Sequence, residues 1–572
     1  MSIPYETEKD KSISGGSQGA MTPINGKSGN EVLVTPALGE KGGFEGSGGN
    51  PGEGTVHRSL KQRHMSMIAL GGAIGTGLFV GSGSALATGG PVGFWLGYVF
   101  MGLMVYSMMV ALGEMASLYP VAGAFTHYAA RFVDPALGFA TGINYWYSYA
   151  ITIPTEIVAA TIVISYWDST TNAAVYITVC FVSIIAINFL GARAYGEAEF
   201  WFCSVKIVTI VGLIILGIVL MCGGGPNHDA IGFRYWRDPG PFAQITIENG
   251  AGVVPGRWGQ FLAFWNVFVQ AAFSFIGTEI IATTLGEAEN PRKTVPRAIK
   301  QVFFRILFFY VMGTFVISVL VPYTEPNLLN GSGTAAASPF VIAINNAGIK
   351  ALPSIVNAVL LIAAWSAGNS DLYAASRTLY ALALERQLPR IFRRCTKRGL
   401  PIWCVTVTAL FGAFAYLNTG GAAAEEAFNW LYNLSAITGI ITWWAILLSY
   451  LRFYYGLKKQ GISRDDFPYR APLQPYLSWL GFIFFTLVTM FSGFTVFLKG
   501  NWDTSSFFAT YITIPIFACC WIGWKVVKKT KIVPLEHIDF TTGRRELDEL
   551  EALDAEKFKP ETKYQKIISI LF

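Results

Sequence analysis

The sequence predicts an all-α membrane protein with twelve transmembrane helices. Of its 572 residues, 52% are hydrophobic and only 14% are charged, which leaves too little charge to cover a water-soluble protein of this size. Glycine interrupts two long apolar runs that lie about two hundred residues apart, at Gly75-Thr76-Gly77 and at Gly277. Paired breaks of this kind indicate a secondary transporter with its substrate site near the midplane of the bilayer.

Twelve apolar runs are about as long as a helix that crosses the hydrocarbon core. A further apolar segment at 339–347 is too short to cross and is expected to form an extracellular helix. The predicted spans are 65–87, 92–117, 136–166, 173–191, 200–222, 259–286, 300–322, 351–384, 402–419, 428–453, 476–498 and 505–528.

Clustered positive charge predicts which loops face the cytoplasm. The loop after span eight and the loop after span ten are both rich in Lys and Arg, so both termini are expected inside the cell, with the protein in the plasma membrane. The predicted domains are a disordered cytoplasmic tail at 1–60, a transporter domain at 61–528 and a cytoplasmic tail at 529–572. Asn330 begins a sequon in an outward loop and is the expected glycosylation site.

Enzymatic, metal-binding and nucleic-acid-binding classes are not favoured. Gly26-Lys27-Ser28 resembles the end of a phosphate loop, but Met21 stands where that loop needs its first glycine. The five histidines are scattered without metal-ligand spacing, and the seven cysteines form no CxxC pair. We therefore expect no enzyme activity, no metal, no cofactor and no nucleic-acid partner.

Several segments in order resemble the signature segments of fungal amino-acid permeases of the amino acid–polyamine–organocation superfamily. These segments are SLKQRHMSMIALGGAIGTGLFVGSG, GEMASLYPVAGAF, FSFIGTE followed by EAENPRKTVPRAI, and NSDLYAASRTLYALA. The context NHDAIGFRYW is most similar to the dicarboxylic amino-acid subgroup. The resemblance covers about residues 58 to 530 and implies two five-helix inverted repeats plus two extra helices, with helices 1 and 6 broken.

The resemblance and the residues together predict how an amino acid would bind. Backbone N–H groups freed at Gly75 and Gly77, beside the positive end of the next half-helix, suit an α-carboxylate. Freed carbonyls around Ala272, Phe273 and Ile276 suit an α-ammonium group. The predicted substrate-binding residues are Ile74, Gly75, Thr76, Gly77, Phe273, Ser274, Phe275, Ile276 and Gly277.

Two of these assignments have structural alternatives. Glycines in membrane helices often serve close helix packing, and this explanation stands beside the binding site. Phe273 resembles the aromatic gate that covers substrate in the family, and its alternative is a core aromatic side chain.

Ionisable residues inside apolar spans are functional candidates because they are costly to bury. Lys206 resembles the lysine that some proton-coupled relatives carry where sodium-coupled members of the fold hold an ion. Glu156 resembles a family glutamate near that lysine, so a Glu156/Lys206 pair is the leading proton-coupling hypothesis, with a static ion pair as the alternative. Glu279 closes the second break and takes a proton, contacts substrate or caps freed N–H groups.

Other polar residues in the spans have less specific roles. Glu114 is expected to reach the membrane interface or to pair with a basic loop residue such as Arg297. Asn369, Ser370 and Asp371 either line the inner vestibule or form hydrogen bonds between helices.

The sequence thus predicts a proton-coupled amino-acid importer for acidic or a broad range of amino acids, with amino acid, proton and lipid bilayer as partners. Two alternatives are a permease-like receptor that senses amino acids with little flux, and a passive channel. The resemblance also implies a ubiquitin ligase as partner of the tails. Its expected targets are Lys9, Lys11, Lys27 and Lys41.

Overall fold

The structure is a computed structural model. It describes residue 67 and residues 74–120, 123–247, 252–280, 282, 299–329, 338–396, 399–419, 423–465 and 467–542. The predicted N-terminal tail, its four lysines and Asn330 lie outside these residues.

Fourteen helices and one short antiparallel hairpin, β1 (Thr246–Ile247) with β2 (Gly252–Val253), form the described part of the chain. Single helical turns occupy several loops in addition. The helices are α1 (Gly77–Leu118), α2 (Ala124–Phe132), α3 (Pro135–Ile164), α4 (Ala173–Phe189), α5 (Ala192–Met221), α6 (Gly256–Phe275), α7 (Ile299–Leu320), α8 (Pro339–Asn346), α9 (Leu352–Leu384), α10 (Ile402–Thr419), α11 (Ala423–Lys459), α12 (Tyr476–Met490), α13 (Thr504–Tyr511) and α14 (Thr513–Lys528).

Seven helices in the described residues are long and apolar enough to cross a membrane. The bent pair of α13 and α14 gives an eighth candidate, with 43° between its two helices. Helices α4 and α12 are shorter and apolar. These findings confirm a multi-span membrane protein, while the count of twelve crossings and the inverted repeats stay predictions.

The first two predicted spans form one helix with a sharp internal turn. Within α1, Gly90 takes a φ of +70° and is followed by Pro91, so the helix changes direction between the two predicted spans. A Cβ at Gly90 would lie 2.4 Å from the backbone nitrogen of Ala243, which shows how closely the loop between α5 and α6 approaches. Glycine is therefore required here both by the backbone angle and by the space.

Helix α3 lies at the centre of the fold and packs along α9 and α11. Its most apolar window is 83% buried, whereas the corresponding window of α5 is only 39% buried. Apolar side chains such as Trp201, Val208 and Ile215 are exposed on α5. An apolar exterior of this kind is what lipid contact requires.

Helix α5 begins at Ala192, eight residues before the predicted start of span five at 200. The prediction was wrong because Arg193, Glu197 and Glu199 lower the hydropathy of a segment that is nevertheless helical. The additional turns bring Glu199 into the fold as a fully buried side chain.

A buried ion pair ties the end of α1 to the loop after α11. The Glu114 carboxylate accepts two hydrogen bonds of 2.6 Å from Arg464, one from the Tyr450 hydroxyl and one from the Ala471 amide. The expected pairing with a basic loop residue is thus found with Arg464, and Arg297 lies outside the described residues.

The chain after α14 folds back onto the same end of the helix bundle. This C-terminal segment, residues 529–542, buries Phe540 and accepts hydrogen bonds on its backbone carbonyls from Tyr119, Arg131 and Arg452. It therefore joins the end of α1 and helix α2 to α11, through side chains that come from two distant parts of the sequence.

Candidate functional site

The described chain is not helical at either predicted break point. Helix α6 ends at Phe275, after which Ile276 has a ψ of 142° and Gly277 a φ of +92°. On the other side, the chain is not helical at Ile74 and Gly75, and α1 begins with a π-helical turn, Gly77–Gly81. The Thr76 side chain does not cap this N-terminus, and the Thr76 backbone hydrogen-bonds to the Glu156 carboxylate.

The two breaks face each other across one small cavity. The lining residues are Gly75, Gly77, Thr152, Glu156, Phe273, Ser274, Ile276, Gly277, Ile280, Ala367 and Asp371. Six of the nine predicted substrate-binding residues therefore line this cavity.

Three predicted binding residues lie behind the cavity wall. Ile74 is fully buried, and Thr76 directs its hydroxyl to a neighbouring carboxylate. The Phe275 ring stacks on Tyr310 with 4.4 Å between ring centroids. These side chains support the shape of the site without lining it.

The glycines of the first break serve both the cavity and close packing. A Cβ at Gly77 would lie 2.6 Å from the Ser274 Cα, so only glycine lets the two broken segments approach this closely. A Cβ at Gly75 would lie 3.0 Å from Glu156 Oε1 and 3.3 Å from the Ala367 Cβ. Close packing and a role in substrate binding therefore do not exclude each other at these glycines.

Two carboxylates face the cavity. Glu156 Oε1 accepts a hydrogen bond of 3.0 Å from the Thr76 hydroxyl, and its Oε2 has no hydrogen-bond partner in the described part of the chain. Asp371 Oδ2 likewise has none among those residues. Asp371, for which an inner vestibule and hydrogen bonds between helices were the two alternatives, lies in the wall of the cavity.

Lys206 lies next to a carboxylate that the sequence did not single out. Its Nζ is 3.6 Å from Glu199 Oε1, and both side chains are fully buried. The Cys203 thiol and the Ser366 hydroxyl donate hydrogen bonds to the same carboxylate. The sequence hypothesis paired Lys206 with Glu156, whereas the ion pair in the structure is with Glu199.

Glu279 is held in the second break by neutral donors. The Tyr149 hydroxyl and the Trp443 indole N–H donate to its two oxygens at 2.9 and 3.0 Å. The backbone of Gly277 also hydrogen-bonds to the carboxylate, which matches the capping role considered above. Arg305, fully buried on α7, donates to the Thr278 hydroxyl at 2.8 Å and brings a positive charge beside this break.

Phe273 combines features of a gate and of a core aromatic residue. It lines the cavity, and its ring lies on Tyr432 with 4.1 Å between centroids. The Tyr432 hydroxyl in turn donates to the Gln270 carbonyl at 2.9 Å. The ring thus belongs both to the cavity wall and to an aromatic contact, and its role as a gate stays a prediction.

Asn369 and Ser370 connect helices and do not line the cavity. Asn188 donates to Asn369 Oδ1 at 2.8 Å, and the Tyr195 hydroxyl donates to Ser370 at 3.2 Å. In the part of the chain that the structure describes, no group of three or more His, Cys, Asp or Glu side chains is arranged to hold a metal ion.

Comparison with known proteins agrees with this architecture. A family model described as amino acid permease matches residues 64–536. The chain is 44% identical to the dicarboxylic amino acid permease of Saccharomyces cerevisiae, over 88% of this chain and 83% of that protein. It is 43% identical to the lysine-specific permease of the same organism, covering 89% of this chain and 82% of the relative. It is 41% identical to the proline-specific permease of Emericella nidulans, covering 87% and 90%. The chain therefore belongs to the amino acid permease family.

Proposed function

We propose that this protein is a proton-coupled amino-acid importer of the plasma membrane that works by alternating access. The observation that carries the proposal is the cavity between the two helix breaks. It combines the N-terminal end of α1 and the C-terminal end of α6 with the carboxylates of Glu156 and Asp371. The first of these helix ends attracts a negative group and the second a positive one, which is the charge pattern of an amino-acid backbone.

The binding mode follows from this polarity. The α-carboxylate lies against the backbone amides at Gly75 and Gly77, where the helix dipole is positive. The α-ammonium group lies toward the C-terminal end of α6, near the carbonyls before Ile276. These contacts recognise what all amino acids share, so they select the class of substrate and leave the side chain to other residues.

Proton coupling is supported by the balance of buried charge. Four carboxylates, of Glu156, Glu199, Glu279 and Asp371, are buried around the breaks, and the described cations buried near them are Lys206 and Arg305. An excess of buried negative charge is costly and favours uptake of protons.

Glu156 is the coupling residue in this proposal. Glu199 and Lys206 lie seven residues, about two turns, apart on the same helix, so a rigid movement of α5 cannot separate them. Glu156 instead touches Thr76 in the first break, and its environment changes when that segment moves. Glu156 would therefore respond both to substrate at the first break and to the proton that it carries.

The proposed range includes acidic amino acids, because the dicarboxylic permease is among the most similar relatives. Other relatives are named for lysine or proline, so family membership does not fix the range. We propose both termini on the cytoplasmic side, and ubiquitin ligation of the N-terminal lysines as a route to endocytosis.

Uptake in a fungal strain that lacks its own amino-acid permeases tests the proposal. Cells that express the protein are expected to accumulate labelled amino acid above the external concentration, and a protonophore should abolish the accumulation. Binding without accumulation would identify a sensor instead. Equilibration that never exceeds the external concentration and does not depend on pH would identify a channel.

A further inference from the structure

We propose that Asp371 is a second proton-binding group of the substrate cavity, and that its protonated form recognises acidic amino acids by donating a hydrogen bond to their side-chain carboxylate. This inference rests on the proposed function and adds to it the residue that decides between substrates of different charge.

The position of Asp371 is the first argument. It lies on α9, its side chain is 7% exposed, and it lines the cavity opposite the first helix break. One of its oxygens and one oxygen of Glu156 have no hydrogen-bond partner in the described residues. The two carboxyl groups are close enough to interact electrostatically. The cavity thus offers a ligand two buried carboxyl groups, each with one oxygen that has no hydrogen-bond partner among the described residues.

The described charges around this pair are mostly negative, and Lys206 is the cation that acts on both carboxyl groups. Glu156 and the tyrosines Tyr145 and Tyr149 approach from α3, Lys206 and Glu199 from α5, and Glu279 from the break after α6. Lys206 is already paired with Glu199 at 3.6 Å.

Arginine and lysine are also missing from the cavity wall. Among the described residues that line the cavity, none is a Lys or an Arg. Two carboxyl groups that share such a site hold at least one proton between them, because both cannot be ionised without a large cost.

The charge of the substrate then determines how many protons the pair holds. A neutral amino acid brings an ammonium group that compensates one ionised carboxylate. An acidic amino acid adds a negative charge in the same cavity, and with Asp371 ionised that charge would face a second one. A protonated Asp371 removes the repulsion and supplies an O–H donor. The proton is taken from outside before the acidic substrate binds and is released inside after it leaves.

Glutamate and glutamine are the probes, since they have nearly the same shape and differ in charge. Between about pH 5.5 and 7.5 the glutamate side chain stays ionised, because its pKa is about 4.3 in model peptides. The ratio of KM for glutamate to KM for glutamine is therefore expected to rise with external pH. Above the pH at which the Glu156 and Asp371 pair loses its proton, this ratio should rise by a factor that approaches ten per pH unit. Taking the ratio cancels differences in surface abundance.

Asp371→Asn is the decisive variant. The amide keeps the size and a hydrogen-bond donor but cannot ionise, so the ratio should become independent of pH while glutamate is still accepted. Asp371→Glu restores an ionisable group and should restore the slope. Asp168→Asn makes the same chemical change in an exposed loop and should behave as the wild type.

Two results would overturn the inference. One is a wild-type ratio that does not change with pH, and the other is an Asp371→Asn ratio with the wild-type slope. Either result leaves amino-acid import itself intact. If the wild type accumulates neither amino acid nor any other, the proposed function fails first and this inference fails with it. If Asp371→Asn does not reach the surface, the wild-type protein still provides a test, because a KM ratio that does not change with pH would overturn the inference.

Discussion

Replacing Arg464 by alanine should destabilise the whole transporter, because this arginine neutralises a carboxylate that has no access to solvent. Glu114 is fully buried and accepts four hydrogen bonds, of which Arg464 donates two at 2.6 Å. The variant would leave the Glu114 charge with the Tyr450 hydroxyl and the Ala471 amide as its remaining donors.

The expected magnitude follows from two independent estimates. Removing one partner of a buried ion pair costs about 3–5 kcal/mol, since the other charge stays buried. Two hydrogen bonds to a charged group, at about 1.5–3 kcal/mol each, give about 3–6 kcal/mol. Both estimates agree on a loss of about 4 kcal/mol in the free energy of unfolding.

Thermal unfolding of the purified protein in detergent measures this loss, and Arg470→Ala is the matched control. Arg470 also pairs with a carboxylate at 2.6 Å in the same loop, but it and Asp465 are largely exposed, so little change is expected. The double variant Glu114→Gln with Arg464→Ala removes the uncompensated charge and should be more stable than Arg464→Ala alone. Equal midpoints for Arg464→Ala and Arg470→Ala would refute the reasoning.

Three further changes test the site and its regulation. Gly75→Ala should lower the initial rate of labelled amino-acid uptake at least tenfold at normal surface abundance. The reason is that the new Cβ would lie 3.0 Å from Glu156 Oε1. An unchanged rate would show that Gly75 is not part of the carboxylate site. Glu156→Gln should keep exchange of internal for external substrate but weaken accumulation driven by a proton gradient and shift its pH dependence, because the amide cannot take up the coupled proton. If Glu156→Gln still concentrates substrate with wild-type pH dependence, Glu156 is not the coupling residue and Glu279 becomes the candidate proton carrier. Conversion of the four N-terminal lysines to arginine should keep the protein at the surface after excess substrate is added, as followed by fluorescence microscopy. Unchanged internalisation would show that the endocytosis signal lies in another part of the chain. The four changed residues are Lys9, Lys11, Lys27 and Lys41.

The helix breaks could be predicted from the sequence because their cause is local. Glycine within an apolar run weakens the helix wherever it occurs, and two such runs in corresponding positions point to one site. Gly75, Gly77 and Gly277 accordingly line the cavity. Burial of Glu156 and Lys206 followed in the same way from their positions inside apolar spans.

The partners of the buried charges could not be predicted, since they depend on how helices pack. Glu199 was placed outside span five because polar neighbours lower the local hydropathy, yet it is the ion-pair partner of Lys206. Arg305 lies inside span seven, but its proximity to the second break becomes visible only in three dimensions. For Asp371, a vestibule and helix contacts were equally compatible with the sequence, and only the fold places it in the cavity wall.

The docked C-terminal segment has a consequence for biosynthesis. Ribosomes make this segment after all the membrane helices, so the early part of the chain waits for its final contacts. Until then the aromatic rings of Phe132 and Phe453, which pack against Phe540, have no cover from that side. Arg131 likewise lacks the carbonyl acceptors that residues 539 and 542 supply. A translation product cut short before Phe540 would therefore display apolar and unpaired polar groups to chaperones and proteases, which distinguishes it from a finished transporter.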